Sequence, residues 1–311
     1  MIKYLKIGKM KINSDMKPIQ TAIVVAFHKY TPFGGEFYEP ILDFFLQSMK
    51  KYESEYDKLY LLDSTWNIDP QKIEGLKAEI IKVDPHLRYY DAYKSVLPQI
   101  KEHLVLFLDN DMIIYREGII KSAFDKLKSD YDVVSIYDTI GEKTFPQLNN
   151  KSKFCPYFFA TGTFMLKDFL NIEWGPNMPE HETLGKLTEE MLRDDIKPFE
   201  MEEDKSNCLF DSTQDNEKSK NLGYYHIRAG STPAYLLATK KYGDKKTYED
   251  YMVNQPRQEY LRQFAWYYLM TDTNQETWSL RPQVWELLKD IHMNEFVWMD
   301  YFERFKQYHG L

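Results

Sequence analysis

Cysteine and long apolar runs are both scarce in this chain. The 311 residues include two cysteines, Cys155 and Cys208, which are too few for a disulfide framework and are not spaced as a metal cluster. A reducing compartment is the simplest expectation. No apolar run reaches about 18 residues, the length that a membrane-spanning helix needs. Residues 1–17 carry five lysines and resemble neither a signal peptide nor an anchor. We therefore expect a cytoplasmic protein, with peripheral membrane contact as an alternative.

An excess of positive charge is also missing. The formal net charge is -8, which argues against a broad nucleic-acid-binding surface. The sequence contains no G-x-G-x-x-G and no G-x-x-x-x-G-K-[ST], so the dinucleotide fingerprint and the P-loop are both excluded. Hydrophobic residues make up 43% and aromatic residues 16% of the chain, which is enough for a substantial core.

The first half of the chain alternates short apolar runs with segments of helical periodicity. This alternation predicts an α/β fold with a mostly parallel central sheet and helices on both faces. The predicted strands are 21–27, 58–62, 80–83, 105–108, 131–136 and 158–166, and the predicted helices are 39–52, 91–102 and 117–129.

Two aspartates follow the most apolar of these strands. Val105–Leu108 leads directly into Asp109, Asn110 and Asp111. Side chains two apart on an extended chain share a face, so the two carboxylates can lean toward one point. Carboxylate oxygens at a strand end suit Mg²⁺ or Mn²⁺. The alternative is an ordinary polar turn, for which Asp-Asn is good chemistry.

The ends of three predicted strands carry polar residues. They are Phe27-His28-Lys29, Asp63-Ser64 and Asp109-Asn110-Asp111. In a parallel sheet the carboxyl ends of strands lie along one edge, where open α/β sheets bind their ligands. We therefore expect one composite site.

The order of these parts resembles the GT-A fold of nucleotide-sugar glycosyltransferases, most of all the GT2-type group, over about residues 20–240. The resemblance implies a nucleotide-sugar site formed by Ala26, Phe27, His28 and Tyr30 after the first strand, by Asp63 after the second, and by Asp109 and Asn110. It also implies a divalent cation on Asp111, and on Asp109 directly or through water, that holds the diphosphate. Asp109 could instead contact the ribose.

The resemblance extends to the middle of the chain. Gly162 lies where the family has small residues beside the donor sugar, and a bulge in the strand is an equal alternative. In inverting relatives a Glu-Asp pair supplies the general base at a place that corresponds here to His181 and Glu182. Glu182 is the implied base, with His181 and Glu180 as the other candidates. Helix capping is the structural alternative for the two glutamates.

A late histidine, His226, follows the aromatic pair Tyr224-Tyr225. By the resemblance it would complete the metal shell, and neutral imidazole is an acceptable ligand for Mn²⁺. Arg228 or the amides near Gly230 would then contact phosphate oxygens. A lone histidine is more often structural.

The pattern changes after residue 240. We expect an N-terminal extension at 1–19, a catalytic domain at 20–240 and a helical extension at 241–311. Four of six tryptophans lie in the last part, where packing on the catalytic domain is favoured over an acceptor site, a homodimer interface or a membrane contact.

The sequence thus predicts a glycosyltransferase that uses Mn²⁺ or Mg²⁺ and a nucleotide sugar, with UDP as the guessed nucleotide. A glycan, a lipid-linked sugar and a protein all stay open as acceptors, as do retention and inversion. The alternatives are a sugar-1-phosphate nucleotidyltransferase, a haloacid-dehalogenase-type phosphatase and a non-catalytic nucleotide- or carbohydrate-binding module. The first normally has more basic residues after its first strand than Lys29 alone, and the second normally carries its aspartates on the first strand.

Overall fold

The computed structural model describes residues 18–27, 35–87, 89–114, 117–138, 144–172, 174, 184–201, 224–226 and 232–243. Within these ranges the strands are β1 (Thr21–Phe27), β2 (Lys58–Asp63), β3 (Ala78–Lys82), β4 (Leu104–Asp109), β5 (Met112–Ile114), β6 (Val133–Asp138), β7 (Lys153–Gly162), β8 (Pro198–Glu200) and β9 (Tyr224–His226). The helices are α1 (Gly35–Lys51), α2 (Tyr89–Val96), α3 (Ile119–Ser129), α4 (Thr163–Asp168), α5 (Gly185–Arg193) and α6 (Thr232–Tyr242).

Seven strands form one mixed sheet in the order β3-β2-β1-β4-β7-β6-β8. Parallel pairing joins β1 to β2 and β4, β2 to β3, and β6 to β8. Only β7 is antiparallel to both of its neighbours, β4 and β6. The predicted α/β fold with a mostly parallel sheet is confirmed.

Two predicted elements end well before their sequence pattern does. The predicted helix 91–102 is observed as α2 and stops at Val96, because Pro98 cannot continue a helix and restricts the residue before it. The predicted strand 158–166 was wrong at its second half. β7 ends at Gly162 and the chain turns at once into α4, so Phe164 and Leu166 are helical.

The chain divides into two compact units. The first contains the seven-stranded sheet with α2, α3, α4 and α5. On one sheet face, α2, α4 and α5 cover a single apolar cluster, and Trp174 and Phe154 are fully buried in it. Cys155 in β7 is buried and is not in a disulfide.

The second unit contains α1, α6 and the short antiparallel pair β5–β9. Glu36 at the start of α1 accepts hydrogen bonds from Lys241 Nζ at 3.1 Å and from Tyr242 Oη at 2.6 Å, both at the end of α6. Burial opposes ionisation of Glu36, but these two donors outweigh it and lower the pKa of the carboxyl. The predicted domain boundary at residue 240 falls inside α6. The helices of the described ranges include none that is both long and apolar enough to cross a bilayer.

A distant carboxylate caps helix α3. Gly118 precedes α3 with a φ of +90°, a conformation that glycine adopts readily, and it has no side chain to cap the helix. Buried Glu55 does so instead: it accepts hydrogen bonds from the backbone N–H of Gly118 at 2.6 Å and of Lys121 at 3.0 Å. A negative charge at a helix N-terminus is stabilising, and both amides would otherwise lack a helical partner.

We expect Glu55→Ala to lower the free energy of unfolding by about 2 kcal/mol, since hydrogen bonds to a charged group contribute more than neutral ones. Urea denaturation followed by circular dichroism measures the change. The control is Glu117→Ala, which removes an exposed carboxylate beside the same helix start. Equal losses in the two variants would show that Glu55 is not the cap.

Candidate functional site

Three strand ends meet at the carboxyl edge of the sheet, as the sequence predicts. In the pairing of β1 with β2, Phe27 lies opposite Asp63. In the pairing of β1 with β4, Ala26 lies opposite Asp109. Because all three strands run in the same direction, these four residues occupy one end of the sheet.

The side chains at this edge leave on two different faces. Paired residues share a face, so Ala26 and Asp109 lie on the face that α2 covers, and Phe27 and Asp63 lie on the other. The Phe27 ring meets the edge of the Trp66 ring, with centroids 4.9 Å apart. Asp63 and Asp109 therefore share an edge without sharing a face.

Asp63 is fully engaged in its own loop. Its carboxylate is buried and accepts hydrogen bonds from the backbone N–H of Trp66 at 2.9 Å, Asn67 at 3.1 Å and Ile68 at 2.8 Å. Lys82 Nζ at the end of β3 donates to the same carboxylate and forms an ion pair with it. The predicted contact between Asp63 and a nucleotide is therefore corrected: these donors occupy both oxygens, and the side chain is inaccessible.

Asp63 instead holds the loop that packs against the end of β1. The loop that it holds begins with Ser64, whose backbone N–H and hydroxyl both donate to the carbonyl of Phe27, at 3.1 and 3.0 Å. That carbonyl belongs to the last residue of β1. Lys82 was not identified from the sequence. Its position at the end of β3 is the sequence feature that could have identified it as a partner of Asp63.

The second aspartate of the motif leads into the other unit. Asp111 is buried, with 6% of its surface exposed, and Asn110 is half-buried in the turn before it. β5 follows at once and pairs with β9, with Met112 opposite His226. Directly opposed residues of an antiparallel pair have Cα atoms about 4.5–5.5 Å apart. The backbone thus brings His226 next to the residue that follows Asp111 in the chain.

The donor set suits a hard divalent cation. Two carboxylates one residue apart and an imidazole on the paired strand are ligand types that Mn²⁺ accepts. Among the residues that the structure describes, no three potential ligand side chains already form a cluster that could hold a metal. The side chain of His226 is not among those described.

Gly162 lies at the opposite edge of the sheet. It pairs with Leu104, the first residue of β4, whereas Asp109 is the last. At about 3.3 Å per residue the two ends of β4 are roughly 16 Å apart. The predicted place of Gly162 beside the donor sugar is therefore wrong. A Cβ there would lie 2.7 Å from the ring of Phe164, an exposed side chain.

Several predicted site residues lie outside the described ranges. They are His28, Tyr30, Glu180, His181, Glu182 and Arg228. Helix α5 begins at Gly185, close behind the candidate bases.

Known proteins resemble this chain in fold only. No family model and no curated sequence matches it. Residues 1–349 of TarS from S. aureus are 13% identical, with 94% of this chain and 92% of that one covered and a TM-score of 0.42. Glucosyl-3-phosphoglycerate synthase from Mycobacterium tuberculosis, in complex with Mn²⁺ and UDP, is 15% identical. The match covers 47% of this chain and 58% of that one, with a TM-score of 0.37. A nucleotidyl transferase from Methanothermobacter thermautotroptrophicus is 11% identical. The match covers 58% of this chain and 86% of that one, with a TM-score of 0.39. Function is therefore inferred from this chain's own residues.

We expect Asp63→Ala to lower the free energy of unfolding by about 3 kcal/mol, because it leaves three amides and the Lys82 ammonium without their acceptor. Thermal and urea denaturation measure the loss. Asp69→Ala is the matched control, since exposed Asp69 accepts a single hydrogen bond, from the N–H of Gln71 at 2.9 Å. A loss no larger than that of the control would contradict the anchoring part given to Asp63.

Proposed function

We propose that this chain is a metal-dependent glycosyltransferase that moves a sugar from a nucleotide-sugar donor, with UDP as the expected nucleotide, to a hydroxyl group of an acceptor. The observation that carries the proposal is the buried Asp111, which follows Asp109 at the end of a central parallel strand and precedes a strand paired with His226. Carboxylates at the end of a parallel strand fit the ligand types of a cation shared with a diphosphate.

Asp109, Asp111 and His226 are the residues that would hold Mn²⁺ or Mg²⁺. When bound, the cation would offset the negative charge that collects on the departing diphosphate. Arg228 lies two residues after His226 and is proposed as a further donor to phosphate oxygens.

The nucleoside is assigned to the end of β1. Phe27 and Ala26 end the strand, and the Ser64 contacts hold the Phe27 carbonyl in place. His28 and Tyr30 in the segment that follows are proposed to contact the base and ribose. Ala26 is the immediate neighbour of Asp109 across the sheet, and its small side chain supports an approach of the ribose or phosphate at that point.

The proposed transfer forms one bond and breaks one. The acceptor oxygen bonds to the anomeric carbon of the sugar, and the bond between that carbon and the diphosphate oxygen breaks. The electron pair leaves with the nucleoside diphosphate. Glu182 is proposed to take the proton of the acceptor hydroxyl, with His181 and Glu180 as alternative bases.

A nucleotidyltransferase is the second candidate because it also places a nucleotide at this edge. The glycosyltransferase is preferred because residues 28–34 carry one basic residue, Lys29, for the triphosphate that a nucleotidyltransferase must bind. Release of pyrophosphate from a nucleoside triphosphate and a sugar 1-phosphate would reverse this preference.

We expect purified protein to hydrolyse one member of a panel of nucleotide sugars when Mn²⁺ is present. Asp111→Asn should lower this rate by at least about 100-fold, since it removes a proposed charged ligand from the group that stabilises the leaving diphosphate. Released nucleoside diphosphate is the readout. Asp125→Asn is the control, because Asp125 pairs with Lys121 on the exposed surface of α3. Equal rates in wild type and Asp111→Asn would contradict the assignment.

His226→Ala is expected to raise the Mn²⁺ concentration for half-maximal activity by about 10-fold, an effect of the size seen when support of a metal site is lost. The matched control is His103→Ala. His103 precedes β4 at the opposite edge of the sheet and accepts a hydrogen bond from the N–H of Gln20 at 3.1 Å. If both variants keep the wild-type Mn²⁺ dependence, His226 is not a ligand.

A further inference from the structure

We propose that Tyr93 is a positioning residue for Asp109, and this inference rests on the proposed function. Tyr93 lies in α2 and is buried. Its hydroxyl donates a hydrogen bond of 3.2 Å to the backbone carbonyl of Leu108, fifteen residues further along the chain. Leu108 is the residue immediately before Asp109. Neither the strand pattern nor the family resemblance points to this tyrosine.

The hydrogen bond acts on the peptide unit that begins Asp109. The carbonyl of Leu108 and the N–H of Asp109 belong to one planar group, so a contact that fixes the carbonyl also fixes the orientation of the Asp109 amide. Leu108 is also the last residue that β4 pairs with β7, where it lies opposite Phe158. Past this point β7 no longer restrains the strand, and the chain is about to turn into Asn110.

The tyrosine ring is held rigidly enough to do this. It packs edge-on against Phe107, with centroids 4.7 Å apart and planes at 75°. Phe107 in turn stacks on Phe159 at 6.1 Å and meets Trp174 edge-on at 6.5 Å. Side chains in such a close-packed aromatic cluster occupy defined rotamers, so the hydroxyl has little freedom to leave Leu108.

Tyr93 lies on the same sheet face as the carboxylate that it would orient. Phe107 and Asp109 are two residues apart in β4 and therefore share a face, and α2 covers that face. The hydroxyl thus contacts the last peptide before Asp109 from the side on which the Asp109 side chain leaves the strand. A metal site requires its ligands to be held within about 0.5 Å of their working positions, and residues behind the ligands supply that constraint.

The decisive variant is Tyr93→Phe, which keeps the ring in its aromatic cluster and removes the hydroxyl alone. The control is Tyr60→Phe, because Tyr60 is a buried tyrosine of β2 in the same sheet and donates a 3.0 Å hydrogen bond to Glu102 Oε2. Each variant loses one hydroxyl hydrogen bond. If the role of Tyr93 were purely structural, both variants would show similar small decreases in Tm and no other change.

We expect Tyr93→Phe to raise the Mn²⁺ concentration for half-maximal nucleotide-sugar hydrolysis by about 5-fold, with the rate at saturating Mn²⁺ changed less than about 2-fold. Tyr60→Phe should keep the wild-type Mn²⁺ dependence. Hydrogen exchange gives a readout that does not need turnover: the amides of Asp109 and Asn110 should exchange about 5-fold faster in Tyr93→Phe and at the wild-type rate in Tyr60→Phe.

Wild-type Mn²⁺ dependence in Tyr93→Phe, or a shift no larger than in Tyr60→Phe, would overturn this inference and leave the proposed function standing. A wild-type protein that hydrolyses no nucleotide sugar and binds no Mn²⁺ would overturn both proposals. The two failures are therefore distinguished by the wild-type measurement alone.

Discussion

Parallel pairing of β1 with β2 on one side and with β4 on the other positions the polar residues of the candidate site. It brings the ends of three strands to one edge, so that Ala26 lies beside Asp109 and Phe27 lies beside Asp63. Each strand is too apolar to stay exposed, and β1 is buried at every residue, as expected of a parallel strand covered on both faces. The polar residues at the edge are therefore placed by the burial of residues that take no part in the chemistry.

Two kinds of carboxylate result at this edge. The Asp63 carboxylate accepts hydrogen bonds from three backbone amides and pairs with Lys82. It thereby holds the loop that contacts the end of β1. Asp109 and Asp111 lie where β4 ends and the second unit begins. We propose that Asp63 supports the site and that Asp109 and Asp111 bind the metal. In the further proposal, the hydroxyl of Tyr93 orients the peptide that precedes Asp109.

Much of the fold could be predicted from the sequence because short apolar runs bounded by polar residues specify buried strands. β1 was predicted residue for residue, and the strand end at Asp109 was placed within the motif itself. The turn from β7 into α4 could not be predicted, because Phe164, Met165 and Leu166 continue the apolar run without a breaker and tertiary packing decides their conformation. The antiparallel direction of β7 likewise depends on the connection and not on the residues in the strand.

The donor-binding roles predicted for Asp63 and Gly162 differ from their observed positions for a related reason. A strand-end aspartate has the same local sequence whether it meets a ligand or its own loop, and the number of amides that turn toward it is set by the fold. The family resemblance places Gly162 by its order in the chain, whereas antiparallel pairing of β7 with β4 puts it at the far end of the strands, opposite Leu104. Tyr93 gave no signal in the sequence because its partner is a backbone carbonyl, which any residue could supply.

The most direct test of the central claim is a crystal structure of the protein grown with Mn²⁺ and UDP, with anomalous data collected at the manganese edge. We expect an anomalous peak within coordination distance of an Asp111 carboxylate oxygen, about 2.2 Å, with the diphosphate on the same ion and the uridine beside Ala26 and Phe27. A manganese peak away from Asp111, or a nucleotide bound at the opposite edge of the sheet near Leu104, would contradict it.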